Sequence, residues 1–333
     1  MRLARVSIGT AICLGLDSGY LSEKTTTAYI LTYYPGRCTA NCAFCAQARM
    51  SSSNIDLLSR VEWPPFAIEK IIEGLVRDSR AKNIKRICLQ ALDYPGVEDD
   101  IVKIVESFRA AINTPLSVSC PPFSKERFEQ LVSMGVDRVG ISLDTATEEV
   151  FNKIKGESVG GPYTWDDYFN ALSSACRYFG DNHVVAHLIA GLGETEIEML
   201  RLIQKLHLMS VYPALFAFTP IPGTLMEKWP RPSIDSYRRI QLACYLITKG
   251  YTRFEEIVFD TKGRIKDFGV ASDDLRGIVL TGEPFLTTGC PDCNRPYYNE
   301  SPGGPIYNYP RPLRREEIKK AESQLGCDFK EFK

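Results

Sequence analysis

Between Thr27 and Lys249 the chain alternates strand-like and helix-like segments six times, and that rhythm admits few architectures. Thr27–Tyr33 (TAYILTY) is a β-branched and aromatic run that reads as a buried strand, ended by Pro35-Gly36. An amphipathic helix over 66–79 follows, with Ile68, Ile71, Ile72 and Leu75 at helical spacing. Strands are then expected at 84–92, 116–120, 137–143, 183–190 and 215–219, with helices behind them at 97–111, 124–134, after Glu148, 165–179, 194–209 and 233–249. Ser124 and Thr164 are expected helix caps, and Thr145-Ala146-Thr147-Glu148 has capping-box spacing. Strict alternation predicts a parallel sheet wrapped by helices, curled one way by right-handed crossovers. Six units suit a three-quarter barrel, (β/α)6, rather than a closed ring of eight. The fold class is therefore α/β: a barrel over 27–250, an N-terminal extension 1–26 and a C-terminal extension 251–333.

A length of 333 residues with 44% hydrophobic content suffices for one large domain and does not force two. The formal net charge of -1 gives no electrostatic argument for nucleic acid or an acidic membrane surface. Met1–Leu16 faintly resembles a signal peptide, but it lacks a clear small-residue cleavage site and is read as mature protein. No apolar stretch approaches the roughly 18 residues needed to span a bilayer. The expectation is a soluble, cytoplasmic, reduced protein, despite its 11 cysteines.

Three of those cysteines, Cys38, Cys42 and Cys45, form a C-x3-C-x2-C run just after the first barrel strand. Three thiolates fill three corners of a four-iron cube and leave the fourth iron open to a small molecule. The rival is zinc, but closed zinc sites want four ligands, commonly in paired C-x2-C units. The loop falls at a strand's C-terminal end, where barrel enzymes place their chemistry.

Further along, Gly191-Leu192-Gly193-Glu194-Thr195 sits where the fifth strand meets its helix. Glycines there let backbone approach a nucleoside, with Glu194 expected in the helix's first turn; a plain turn is the other reading. Ser142-Leu143-Asp144-Thr145 closes the fourth strand, as a polar contact or as a simple capped exit. A second pair, Cys290-Pro291-Asp292-Cys293, lies well past the barrel rhythm and suggests a metal or second cluster. Cys13, returning from the N-terminal extension, and Ser301, in a turn-rich segment, are its candidate remaining ligands. A hydroxyl is a weaker ligand than thiolate for a sulfide cluster and would suit one meant to come apart. A structural zinc knuckle is the alternative. Cys88, Cys120, Cys176 and Cys244 read as small buried hydrophobes, and Cys327 has no assignment.

These motifs resemble those of the radical S-adenosylmethionine superfamily, in its biotin synthase/lipoyl synthase branch. The C-P-x-C-N-R-P tail with its downstream Ser-Pro-Gly-Gly is most similar to one subunit of the two-protein, archaeal-type lipoyl synthase. The resemblance covers most of 10–312 and implies a partial TIM-like barrel with two 4Fe-4S clusters and S-adenosyl-L-methionine. It assigns the radical cluster to Cys38, Cys42 and Cys45. Phe44 and Ile221 would pack beside adenine, while Ser142, Asp144, Gly191, Gly193 and Glu194 would contact cofactor or substrate. Where many members carry Gly-Gly-Glu, this chain has Gln90-Ala91-Leu92-Asp93, leaving Gln90 or a carbonyl for the cofactor's amino group. The implied reaction is sulfur insertion into an unactivated C–H of a protein-bound octanoyl chain, the auxiliary cluster supplying sulfur. The implied partners are an octanoylated lipoyl-carrier domain or H-protein, a paralogous subunit and an electron donor such as ferredoxin. Another biotin synthase-like enzyme acting on a small molecule is the first alternative, and a non-catalytic iron–sulfur or zinc protein the second.

Overall fold

The structure is a computed structural model that describes residues 2–77, 79–301 and 303–326; Cys327 lies outside them. Its strands of interest are β1 (Leu3–Val6), β2 (Thr27–Thr32), β3 (Pro65–Ala67), β4 (Arg86–Gln90), β5 (Leu116–Cys120), β6 (Arg138–Asp144), β7 (Val184–Ala190) and β8 (Val211–Ala217). They form one eight-stranded sheet in the order β8-β7-β6-β5-β4-β2-β1-β3. Every neighbouring pair from β2 to β8 is parallel, giving the expected six-stranded partial barrel. Its long helices are α2 (Ile68–Arg77), α3 (Val97–Arg109), α4 (Lys125–Ser133), α6 (Trp165–Phe179), α7 (Glu196–Leu208) and α8 (Ile234–Thr248).

The strands read in period two. In β4, Ile87 and Leu89 are fully buried toward the helices, whereas Arg86, Cys88 and Gln90 face the barrel interior. Ser117 and Ser119 of β5, and Ser142 and Asp144 of β6, line the same interior. One face is thus packed aliphatic core and the other a polar-spotted chamber.

Ser124 and Thr164 cap their helices as expected, Thr164 in a capping box with Asp167. Elsewhere the boundaries move. The cap of α5 (Glu148–Ile154) is Thr147, whose side chain accepts from the Val150 amide, not Thr145. Thr195 and Glu198 form the capping box of α7, so the helix starts two residues after Glu194. Strand β8 begins at Val211, ahead of the expected Leu215, and runs through Pro213. A proline there is tolerated because β8 is the sheet's edge.

The first 26 residues are partly built into the sheet. β1 pairs antiparallel with β2 in register Ala4↔Thr32 and Val6↔Ile30, and β3 pairs outside it. α1 (Ile8–Cys13) lies close against α2: a Cβ on Gly74 would stand 2.6 Å from the Leu14 carbonyl oxygen.

The C-terminal extension holds a small hairpin, α9 (Ser272–Thr281) and α10 (Arg315–Gln324). Between those helices, residues 286–299 bridge the two ends of the parallel sheet. At the β8 end, the Leu215 amide donates to Thr288 Oγ1 at 2.8 Å, and Thr219 Oγ1 donates to the Asn299 carbonyl at 2.9 Å. At the β2 end, the Thr26 and Thr27 hydroxyls donate to the Asp292 carbonyl at 2.6 and 2.8 Å. The Asn294 and Arg295 amides donate to the Tyr29 hydroxyl at 3.1 and 2.8 Å. The tail therefore closes the open side that six strands leave.

Candidate active site

The 37–53 loop after β2 is held by its own polar side chains rather than by regular structure. Arg37 donates to the Ala46 and Ser53 carbonyls, Gln47 Nε2 to the Ile55 and Leu57 carbonyls at 2.6 Å each, and Asn41 Nδ2 to the Val159 carbonyl at 2.7 Å. The Ser52 amide donates to the Gly223 carbonyl at 2.9 Å, docking the loop on the segment after β8. This frame presents Cys38, Cys42 and Cys45 to one cavity of about 290 Å³. All three are free thiols. Cys38 Sγ accepts from the Asp93 amide at 3.3 Å. Burial raises the pKa of all three, that of Cys45 to about 12, so loading iron must displace protons.

The floor of that site is an ion pair that sequence reasoning missed. Lys155 Nζ meets Asp144 Oδ2 at 2.5 Å, donates to the Ser142 carbonyl, and sits 4.4 Å from the Tyr168 ring centroid. Burial works against the lysine's charge, but Asp144 overrides it and its pKa ends well above the usual range. Asp144 itself has φ 69°, a left-handed conformation in a non-glycine residue at a strand end, held by that lysine.

Of the residues expected at the cofactor, Phe44, Gln90, Ser142, Asp144 and Ile221 line the cavity with the three cysteines. Gly191, Gly193 and Glu194 do not. Glu194 lies before α7, not in its first turn, and its carboxylate accepts from the Gly191 and Leu192 amides at 2.6 and 2.9 Å. Both glycines have positive φ, 103° and 114°, so the motif is a tight turn braced by its own glutamate.

The same cavity is lined by Cys290 and Cys293 of the bridging tail. The other two expected auxiliary ligands are not brought to them. Cys13 is buried on α1, and Ser301 is exposed; neither lines the cavity. Cys88 does line it, which corrects its reading as a small hydrophobe: it occupies an interior position of β4, between Arg86 and Gln90. The signal was the alternation R-x-C-x-Q, polar at every second residue. Cys120 also reaches the lining, while Cys244 is buried on α8 and Cys176 half-buried on α6. Arg295, with Nη1 3.7 Å from Cys293 Sγ, and His187 line the same cavity. The Arg295 guanidinium carbon stands 3.9 Å from the Phe216 ring centroid, and burial lowers the His187 pKa to about 3.

A three-quarter parallel barrel with three loop thiols at the strand ends has the architecture of an enzyme built around an incompletely ligated cluster. The radical SAM superfamily model matches residues 32–206, more than half of the chain. The chain belongs to that superfamily and is related to biotin synthases. It is 28% identical over 261 residues to the biotin synthase of Akkermansia muciniphila, covering 76% of this chain and 73% of that one. It is 24% identical over 268 residues to that of Acinetobacter calcoaceticus, covering 78% and 76%. In fold it is similar to methylornithine synthase, with TM-score 0.52 at 14% identity over 72% of this chain and 67% of that one. The hydrogenase maturase HydG of Carboxydothermus hydrogenoformans gives TM-score 0.51 at 16% identity, over 74% of this chain and 56% of that chain.

The superfamily implies a 4Fe-4S cluster and S-adenosyl-L-methionine, and the residues fit them. Three unpaired thiols share one cavity face, an amide already donates to one sulfur, and a buried cation stands beside them. Among the described residues no three His, Cys, Asp or Glu converge as they would on a single metal ion, and a cube needs the wider spacing of its corners. None of the described helices is long and apolar enough to cross a membrane.

Proposed function

We propose that this chain is a sulfur-inserting radical SAM enzyme acting on a protein-bound octanoyl chain, one subunit of a two-protein lipoyl synthase. When bound, the clusters and S-adenosyl-L-methionine supply a reductively generated 5'-deoxyadenosyl radical and sulfide. What the chain contributes is position. Cys38, Cys42 and Cys45 hold the radical cluster. Phe44 and Ile221 offer apolar surface for adenine, and Gln90, Ser142 and Asp144 offer polar contacts to cofactor or substrate. The single observation that carries the reading is that this trio and the tail thiols Cys290 and Cys293 line one cavity. Leu31, Ile189, Phe216 and Phe218 supply the apolar wall of that cavity, which suits an alkyl chain and keeps water from a carbon radical. The acyl arm of a lipoyl-carrier domain or H-protein, a paralogous subunit and a reductant such as ferredoxin are the partners this reading requires.

The relatedness to biotin synthases favours a second reading, a free small molecule as substrate. Anaerobically reconstituted protein, given S-adenosyl-L-methionine, reductant and the paralogous subunit, is offered an octanoylated carrier peptide or the sulfur-free precursor of biotin. The proposal expects mass spectrometry to find sulfur on the peptide. Sulfur on the small molecule alone supports the second reading, and sulfur on neither removes both.

A further inference from the structure

Cys88 lies on the barrel wall and Cys290 and Cys293 on the tail, about two hundred residues later, yet all three line the same chamber. The cross-strand partners of Cys88 are Tyr29 and Ser117, and the Ser117 hydroxyl donates to the Ile87 carbonyl at 3.2 Å. Cys293 Sγ is 3.5 Å from the Tyr29 hydroxyl and 3.7 Å from Arg295 Nη1. That arginine is itself fixed by donating to the Leu215 and Thr288 carbonyls at 3.3 and 2.8 Å. Arg86, two residues before Cys88, donates to the Pro291 carbonyl at 3.0 Å and pairs with Asp137 at 2.7 and 2.9 Å. The loop between the two tail cysteines is thus pinned over the N-terminal ends of the strands, both sulfurs turned inward.

We propose that Cys88, Cys290 and Cys293 form one three-thiolate iron–sulfur site, and that a cluster held there clasps residues 286–299 across the open side of the barrel. The assignment rests on the sulfur-insertion reading for what the cluster is used for, but not for its ligands. It replaces Cys13 and Ser301, which stand outside the chamber, with a residue inside it. Tyr29 and Arg295 act as positioning residues, offering hydrogen bonds to the Cys293 sulfur as the groups around metal ligands do at other sites. Because two ligands come from the tail and one from the wall, filling the site joins two parts of the chain that otherwise meet through hydrogen bonds, packing and the Lys85–Asp292 ion pair at 3.4 Å. Metal-ligand bonds of this kind add directly to the stability of the segment they tie down. Consuming or losing the cluster releases the clasp, so the chamber's side wall is tied to the cluster's state.

The test uses the full chain, anaerobically reconstituted with iron and sulfide. In a background where Cys38, Cys42 and Cys45 are all alanine, the chain is expected to retain one cluster by iron and sulfide assay. Adding Cys88→Ala is expected to lower iron to background, as Cys290→Ala does, while Cys244→Ala leaves it unchanged. Cys88→Ser, nearly isosteric, guards against loss of fold and is expected to change the cluster's spectroscopic signature rather than the circular dichroism. Full iron retained in the Cys88→Ala chain, or zinc without sulfide in the background chain, overturns the ligand set. Hydrogen exchange over 286–299 is expected to speed up at least tenfold when the cluster is removed from otherwise wild-type protein, with the α3 amides unchanged. Equal exchange with and without it overturns the clasp. A chain that keeps this cluster but inserts no sulfur refutes the proposed function and leaves the ligand set standing.

Discussion

Removing one partner of the Lys155–Asp144 pair tests the interior most sharply. Both side chains are about nine-tenths or more buried, with relative exposures of 6% and 10%. Lys155→Met keeps most of the aliphatic stem and deletes the charge, leaving Asp144 facing Cys42 with no cation. Breaking a buried pair this way costs about 3–5 kcal/mol, because an uncompensated charge remains in low dielectric. At about 2.1 cal/mol/K of unfolding entropy per residue, a chain of 333 residues should lose about 4–7 °C of Tm. The double variant Lys155→Met/Asp144→Leu removes both charges and should recover most of the loss, since replacing a whole buried pair by apolar groups is often neutral. The assay is denaturant and thermal unfolding of cluster-free protein, so that metal release does not contribute. The pair's pH behaviour follows from its sign. The folded lysine's pKa is raised, so its contribution is fully present below the unfolded value of about 10.4 and lost only as pH rises toward the folded one. Between pH 6 and 9 the wild-type minus Lys155→Met difference should therefore be flat. A single variant within about 1 kcal/mol of wild type, or a double variant as unstable as the single, refutes the reasoning.

Three further expectations follow from particular contacts. Gly223 has φ 81° and a Cβ there would stand 2.5 Å from the Ser53 amide nitrogen, so Gly223→Ala should push the cluster loop off its seat and lower iron content after reconstitution. His187, with a pKa lowered to about 3, resists protonation, so stability should fall as pH drops from 6.5 toward 3. The fall attributable to it is about 2 kcal/mol at pH 5, and His187→Gln should abolish that part in denaturant unfolding of the cluster-free chain. Glu196 and Arg239 are both 4% exposed at the side chain and meet at 2.6 Å, joining α7 to α8, so Arg239→Ala should cost about 3–5 kcal/mol in the same assay.

The barrel was legible in the sequence because each of its strands is followed by a helix with an apolar stripe, and those two periods are hard to confuse. The convergence of Cys38, Cys42 and Cys45 on one cavity was legible because the three thiols are neighbours along the chain. What escaped were features that only the path of the chain in space brings together or turns to one face. Lys155 lies just after α5, only 11 residues beyond Asp144, and the turn of α5 back over the end of β6 makes it that residue's buried partner. Cys88 looked apolar because its run was scored by content; scored by alternation, it shares a face with Arg86 and Gln90. Pro213 concealed the start of β8, since only the topology reveals that strand as an edge. Nearness along the chain points to Cys13 and Ser301, but it does not tell which side of a sheet a segment covers, and neither residue lines the cavity.

The bridging tail also imposes an order of events on biosynthesis. Residues 286–299 are made after every barrel strand, so the emerging chain holds Cys38, Cys42 and Cys45 in a chamber whose side still stands open.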